Sequence, residues 1–287
     1  MDKYEYCENI IKEKSESFYK AFSELEPDKA KAVYAIYAFC READDAIDEH
    51  NDLEKVNTLK ANIKKTFEGN VPEGNLLFEA LADTFKRYPS QIDPYLELLD
   101  GIRDDYYFEA FKTEDELEQY CYKVAGTVGL MLLPVIASEN YKTDSKKLKE
   151  VAVELGKAMQ LTNILRDVRN DLMKDRVYFS EEIIEQHQVK IEMIRTGLVI
   201  PEWRSMMEYY IDKTKNKYKV FYDNVELFDK DARLPTMLAA SYYEGILDEI
   251  AKKDYSNINK RHYVGNFRKR RLAKQSEKSL KKQGLIE

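Results

Sequence analysis

The sequence predicts an all-α chain folded as a single domain, and three observations carry that expectation. Gly and Pro together account for only 17 of 287 residues, about half of ordinary usage. Lys, Glu, Leu and Ala are abundant and β-branched runs are scarce, which favours helices. No Ser/Gly-rich linker or abrupt shift of composition divides residues 1–287, and no fixed-period repeat is present.

Helix breakers cluster near Glu26-Pro27, Gly69–Gly74, Pro89–Pro94, Glu139–Asp144, Gly197–Pro201 and Asp229–Pro235, and long helical patterns fill the intervals. The longest uncharged apolar stretch is Val124–Ala137, interrupted by Gly126, Thr127, Gly129 and Pro134. A bilayer needs about 20 apolar residues, so this segment is expected to cross the middle of a helical bundle instead.

Hydrophobic residues make up 44% of the chain, enough for a core, and 34% are charged. The net charge of −7 argues against a general nucleic-acid binder. Cys7, Cys40 and Cys121 are odd in number and far apart, which suits a reduced interior and excludes a disulfide scaffold. The first ten residues lack the basic-then-apolar pattern of a secretory signal, so a cytoplasmic location is expected. Charge is unevenly spread: Lys260–Lys282 holds ten Lys/Arg against Glu277, a balance of +9 that leaves −16 for the rest. This segment is expected either as a solvated C-terminal helix or as a peripheral contact with anionic lipid at the inner membrane face. Such contacts gain about 1 kcal/mol per cation.

Two polar stripes stand out on otherwise apolar helices. Ala32–Cys40 carries no charge, and Tyr37, Arg41, Asp44 and Asp48 then follow at 4-3-4 spacing on one face. An i,i+4 acid pair alone means little, since roughly ten arise by chance in so acidic a helical chain. A cation and two carboxylates on a buried helix, however, require partners or metal. The design recurs after the uncharged Ala158–Leu165, where Gln160, Asn163, Asp167 and Asp171 form a second stripe at 3-4-4 spacing. Oxygen donors without His or Cys at ligand spacing favour Mg²⁺ over zinc. A salt-bridged core network is the plain alternative for either stripe alone. Facing acid clusters can hold Mg²⁺ against a diphosphate as its carbon–oxygen bond ionises, beside an apolar, aromatic-lined cavity. The 21 Tyr and 12 Phe permit such a cavity without requiring it.

With these residues in view the chain resembles the squalene/phytoene synthase family, and within it the bacterial dehydrosqualene (4,4′-diapophytoene) synthases. The likeness runs through Ser15-Glu-Ser-Phe18, Tyr37-Ala-Phe-Cys-Arg41, Asp44-Asp45-Ala-Ile-Asp48 and Tyr120–Gly129. It continues in Gln160–Val168, Asp171 and Arg176-Val-Tyr-Phe179. The resemblance implies an isoprenoid-synthase bundle with a central cavity, and two or three Mg²⁺ held by Asp44, Asp48, Asn163, Asp167 and Asp171. It also implies substrate contacts from Lys14, Ser15, Ser17, Tyr37, Arg41, Gln160, Arg166 and Tyr243, with Arg176, Tyr178 and Arg261, and a cavity lined by Tyr120, Ala125, Val128 and Gly129. The catalytic set would be Asp44, Asp48, Asp167, Asp171, Arg41 and Arg166. Gly126 and Gly129 would leave room for an isoprenoid chain or serve close helix packing. Two departures stand out: Arg169-Asn170 replaces the Gly-Glu of many relatives, and Lys14 lies where some have His.

The implied reaction is head-to-head condensation of two prenyl diphosphates through a presqualene-type cyclopropylcarbinyl diphosphate. The chain has no G-x-G-x-x-G motif, and proton loss without NADPH is expected, giving a carotenoid precursor. Phe22 and Tyr34 are expected to wall the cavity and favour farnesyl over geranylgeranyl diphosphate. Phytoene synthase, squalene synthase and a non-catalytic assembly or binding factor are the alternatives; the last is expected to lose acids from a stripe, and both stripes are intact.

Overall fold

The computed structural model describes residues 1–141 and 146–287, of which none is in a strand; 76% of the chain is helical. The helices are α1 (Lys3–Lys14), α2 (Glu16–Phe22), α3 (Pro27–Asp48), α4 (Leu53–Phe67) and α5 (Leu76–Arg87). Then come α6 (Asp93–Tyr106), α7 (Glu114–Cys121), α8 (Thr127–Ile136), α9 (Ser138–Tyr141) and α10 (Lys146–Met173). The last are α11 (Glu181–Gln186), α12 (Ile191–Arg195), α13 (Pro201–Tyr222), α14 (Lys230–Lys252) and α15 (Asn266–Lys282).

Local chemistry sets many boundaries. Pro27 and Pro201 stand in the first turn of α3 and α13, where a missing N–H costs nothing. Asp2 caps α1 and Asn75 caps α5, while Thr113 and Glu116 close a capping box on α7. Most expected breaks fall between helices; of Glu139–Asp144, positions 142–144 lie outside the described residues. Asp229–Pro235 is corrected. Helix α14 starts at Lys230 and Pro235 lies inside it. A proline this near a helix start removes one backbone hydrogen bond, and burial of its ring offsets that loss.

Helices α3 and α10 are the two central elements. α3 packs against α1, α5, α6 and α8, and α10 against α8, α13 and α14. Their apolar runs are buried as expected, including Ala35, Ile36, Ala38 and Phe39 on α3 and Leu161, Ile164 and Leu165 on α10.

The stretch Glu114–Ile136 runs as one helical rod of 23 residues, with Tyr122–Gly126 wound as a π-helical turn between α7 and α8. By length and composition this longer rod passes for a membrane span, a test that the core helix of a bundle also meets. Half of its most apolar window is nevertheless buried inside the protein, against α6 and α10. Glycine permits that approach: a Cβ on Gly129 would collide with the Ala152 carbonyl, and one on Gly156 with the Ala125 carbonyl. The space beside Gly129 is thus taken by α10, although both glycines also edge the cavity described below.

Candidate active site

The two stripes face one chamber. Asp44 and Asp48 of α3 and Gln160, Asn163, Asp167 and Asp171 of α10 line a polar cavity of about 660 Å³, with Arg41, Arg166 and Arg261 on its wall. An adjoining mouth of about 590 Å³ is bordered by Lys14, Ser15, Ser17, Tyr37, Tyr243 and Lys269. On the inner side an apolar channel of about 200 Å³ begins at Tyr37, Asp44 and Gln160 and runs past Phe18, Phe22, Val128 and Leu132. Asp44 and Asn163 border all three spaces. The boundary between polar and apolar chemistry therefore runs through this pair.

The stripes are held by opposite charge. Arg166 donates to Asp167 from Nε at 2.9 Å and Nη2 at 2.7 Å. Arg261 grips the same carboxylate from Nε and, at 2.8 Å, from Nη2. Asp48 receives Arg176 at 3.2 Å and pairs with Lys174 at 3.6 Å. Arg176 does not line the chamber itself; it stands behind Tyr178, whose hydroxyl accepts from it at 3.3 Å. Lys14 and Arg41 border the mouth while paired with Asp45 and Glu49, with Lys14 Nζ 3.0 Å from Glu49. Ser15 caps α2, and Ser17 accepts from Lys269 at 2.8 Å.

Other members of the acid set are left short of counter-charge. Burial pushes the Asp44 carboxyl up to about 7; Arg41 opposes the rise, and Asp48 and Asp105 add to it. Burial likewise raises Asp171 to about 7, with Asp167 and Asp48 adding to the rise. The Asn163 side-chain oxygen is buried with no hydrogen-bond partner, while its amide donates to Gln160 at 3.3 Å. An orphaned oxygen among mutually repelling carboxylates is a site short of positive charge. The donors are all oxygens. Cys40, which borders the mouth, has its thiol raised by burial and is kept neutral. This donor set fits hard divalent cations such as Mg²⁺. Among the described residues no three acidic, His or Cys side chains already close around a cation position, so other oxygens must complete any such shell.

Asp105, near the end of α6, was missed by the sequence reading. It accepts from Tyr120 at 2.8 Å and Tyr178 at 3.0 Å, and burial raises its carboxyl to about 6 against those hydrogen bonds. It sits in no stripe, and nothing distinguishes it in sequence from its neighbour Asp104. Lys174 and Lys269 were missed as well, the second because it lies within the basic tail. Tyr34 was placed on the cavity wall and does not reach it. Its ring packs on Tyr19, 5.9 Å between centroids, whereas Phe22 does line the channel.

The chain is similar to known proteins in both sequence and fold. A family profile described as squalene/phytoene synthase matches residues 11–272. A 4,4′-diapophytoene synthase of Staphylococcus haemolyticus is 34% identical over 98% of this chain and 98% of its own. A chloroplastic phytoene synthase of Narcissus pseudonarcissus is also 34% identical, over 93% of this chain and 64% of its own. The crystal structure of a dehydrosqualene synthase in complex with a ligand superposes with a TM-score of 0.91 at 37% identity, covering 98% of this chain and 97% of that one.

Proposed function

The chain belongs to the squalene/phytoene synthase family of prenyltransferases, and on that premise we propose that it condenses two farnesyl diphosphates head to head to dehydrosqualene, without reduction. The observation that carries this reading is the pair of facing stripes on α3 and α10, set around a polar chamber that opens into an apolar channel.

Asp44, Asp48, Asn163, Asp167 and Asp171 are the residues that would hold Mg²⁺, which supplies charge neutralisation at the departing diphosphate. The protein's own cations share that task. Arg41, Arg166, Arg261 and Lys14 border the chamber and its mouth, where they orient phosphate oxygens and stabilise charge developing on the leaving group. The channel beyond Asp44 and Asn163 takes the prenyl tails and excludes water. There Phe18, Phe22 and Tyr37 give the wall an aromatic lining suited to an allylic cation.

The donor loses diphosphate, its C1 cation is attacked by the alkene of the acceptor, and proton loss closes a cyclopropylcarbinyl diphosphate. That intermediate loses the second diphosphate, rearranges to the C1–C1′ linkage and releases a second proton, giving a C30 hydrocarbon. The Asp105–Tyr120–Tyr178 cluster stands at the chamber wall and is suited to positioning the diphosphate or taking a proton.

Equal identity to a diapophytoene and a phytoene synthase does not choose the chain length. Phe22 in the channel wall favours the shorter substrate. Incubation with farnesyl or geranylgeranyl diphosphate and Mg²⁺, with and without NADPH, tests the proposal by the mass of the hydrocarbon. Dehydrosqualene in both farnesyl arms is expected. Squalene formed only with NADPH, or product from the C20 substrate alone, would overturn it.

A further inference from the structure

The basic C-terminal segment is an ordered amphipathic helix with its two faces differently employed. Leu272, Ala273, Ser276 and Leu280 of α15 turn toward the protein, where the helix packs on α14. Arg268 is tied to Asp248 at 2.7 Å and to Glu249, and Lys269 to Ser17 at 2.8 Å. The opposite stripe is exposed and runs through Phe267, Arg270, Arg271, Lys274, Lys278 and Lys281. These positions recur at helical spacing within about a third of the circumference.

This stripe opposes the stability of the free protein. Arg270/Lys274 and Lys274/Lys278 are like charges one turn apart, which destabilises a helix. Among the described residues only Lys281 of the stripe has an acidic partner, Glu277 at 3.3 Å. At the start of the stripe Phe267 is 86% exposed, and nearby Tyr263 is 58% exposed. Among the described residues, none of the acids that make up the −16 elsewhere pairs with this face.

We infer that α15 docks the protein on an anionic lipid bilayer, with the cations on headgroup phosphates and Phe267 in the interfacial layer. Charge complementarity supplies the attraction, and the exposed aromatic at the end of a cationic stripe favours a bilayer over a polyanion such as RNA. The segment leading into α15 also supplies Arg261, Tyr263 and Val264 to the mouth of the chamber, so the docking helix and the mouth share one stretch of chain. This inference does not depend on which prenyl diphosphate is used.

Sedimentation of the full-length protein with vesicles of phosphatidylcholine, alone or mixed with phosphatidylglycerol, tests it. Binding is expected only to the anionic vesicles and is weakened by salt. Each cation near the surface contributes roughly fivefold, so Arg270→Glu/Lys274→Glu is expected to bind at least ~30-fold more weakly. Lys64→Glu/Lys65→Glu, the same charge change on the exposed end of α4, is expected to bind within a few-fold of the parent. Phe267→Ser lowers partitioning at constant charge. All these side chains are exposed and outside the chamber, so helical content and turnover of soluble substrate remain unchanged. No anionic-vesicle binding by the parent, equal losses in the α15 and α4 variants, or a loss on α15 confined to RNA or self-association would overturn the inference.

Discussion

Arg261 reaches across 94 positions of sequence to hold both carboxylate oxygens of Asp167, the residue that Arg166 clamps from within α10. One carboxylate gripped by two guanidinium groups is more than neutralised, which leaves net positive charge at that one point of a wall otherwise rich in carboxylates.

If that charge serves an incoming diphosphate, Arg261→Ala should lower kcat/KM roughly 10–100-fold, mostly through KM, the size usual for a residue that orients a ligating group. Lys at this position should restore only part of the loss, since it lacks the fork. Steady-state kinetics with both variants checks this.

The stripes themselves are expected to be indispensable. Asp48→Asn and Asp167→Asn should each reduce turnover by about 10³-fold or more. For Asp48→Asn the melting temperature should change little, because Asp48 is exposed. Turnover retained in both variants would remove the Mg²⁺ reading.

Chain length should respond to Phe22 and not to Tyr34. Phe22→Leu, which shortens the channel wall at a modest packing cost, is expected to raise the ratio of C20 to C15 turnover. Tyr34→Ala, whose ring lies on Tyr19 outside the channel, should only destabilise. Competition between the two diphosphates, read by product mass, separates these outcomes.

Acid stability is expected to report on Glu118. Burial alone would raise its carboxyl, but Lys217 and Lys213 outweigh that and hold it at about 2. Lys217 lies 3.0 Å and Lys157 3.2 Å from the same oxygen. The folded value lies below the ordinary 4.5. The contribution is therefore complete above about pH 4.5 and disappears as pH falls through about 2. Glu118→Gln should cost about 2 kcal/mol near neutrality and converge with the parent in acid, as denaturant titrations at several pH values would show.

Gly129→Ala should destabilise by about 2 kcal/mol or more, because the added methyl meets the Ala152 carbonyl on a neighbouring backbone. Calorimetry measures this directly.

Much of the site was legible because it is periodic. Asp44 and Asp48, and Asn163, Asp167 and Asp171, are separated by whole helical turns, so spacing alone placed each set on one face. Apolar runs before each stripe marked helices that the fold buries. Residues that reach the chamber from elsewhere carried no such mark. Asp105 comes from the end of α6 and is defined only by the hydroxyls of Tyr120 and Tyr178. Tyr34 failed for the opposite reason: sequence places it on the correct helix but cannot resolve which side of α3 meets Tyr19 and which meets the channel. Pro235 misled because a proline near a helix start is tolerated, so it marked a boundary a few residues late.

The contact between Ser17 and Lys269 joins positions 252 residues apart. Both flank the mouth, and Arg261 enters from the same late segment. The opening is therefore assembled from segments far apart in sequence, α2 on one side and the stretch entering α15 on the other. A nascent chain can build α3 and its acid stripe early, yet it has no finished entrance until Lys269 has been made. A chain cut before Arg261 would keep the carboxylates of α3 and α10 without the cations that finish the doorway.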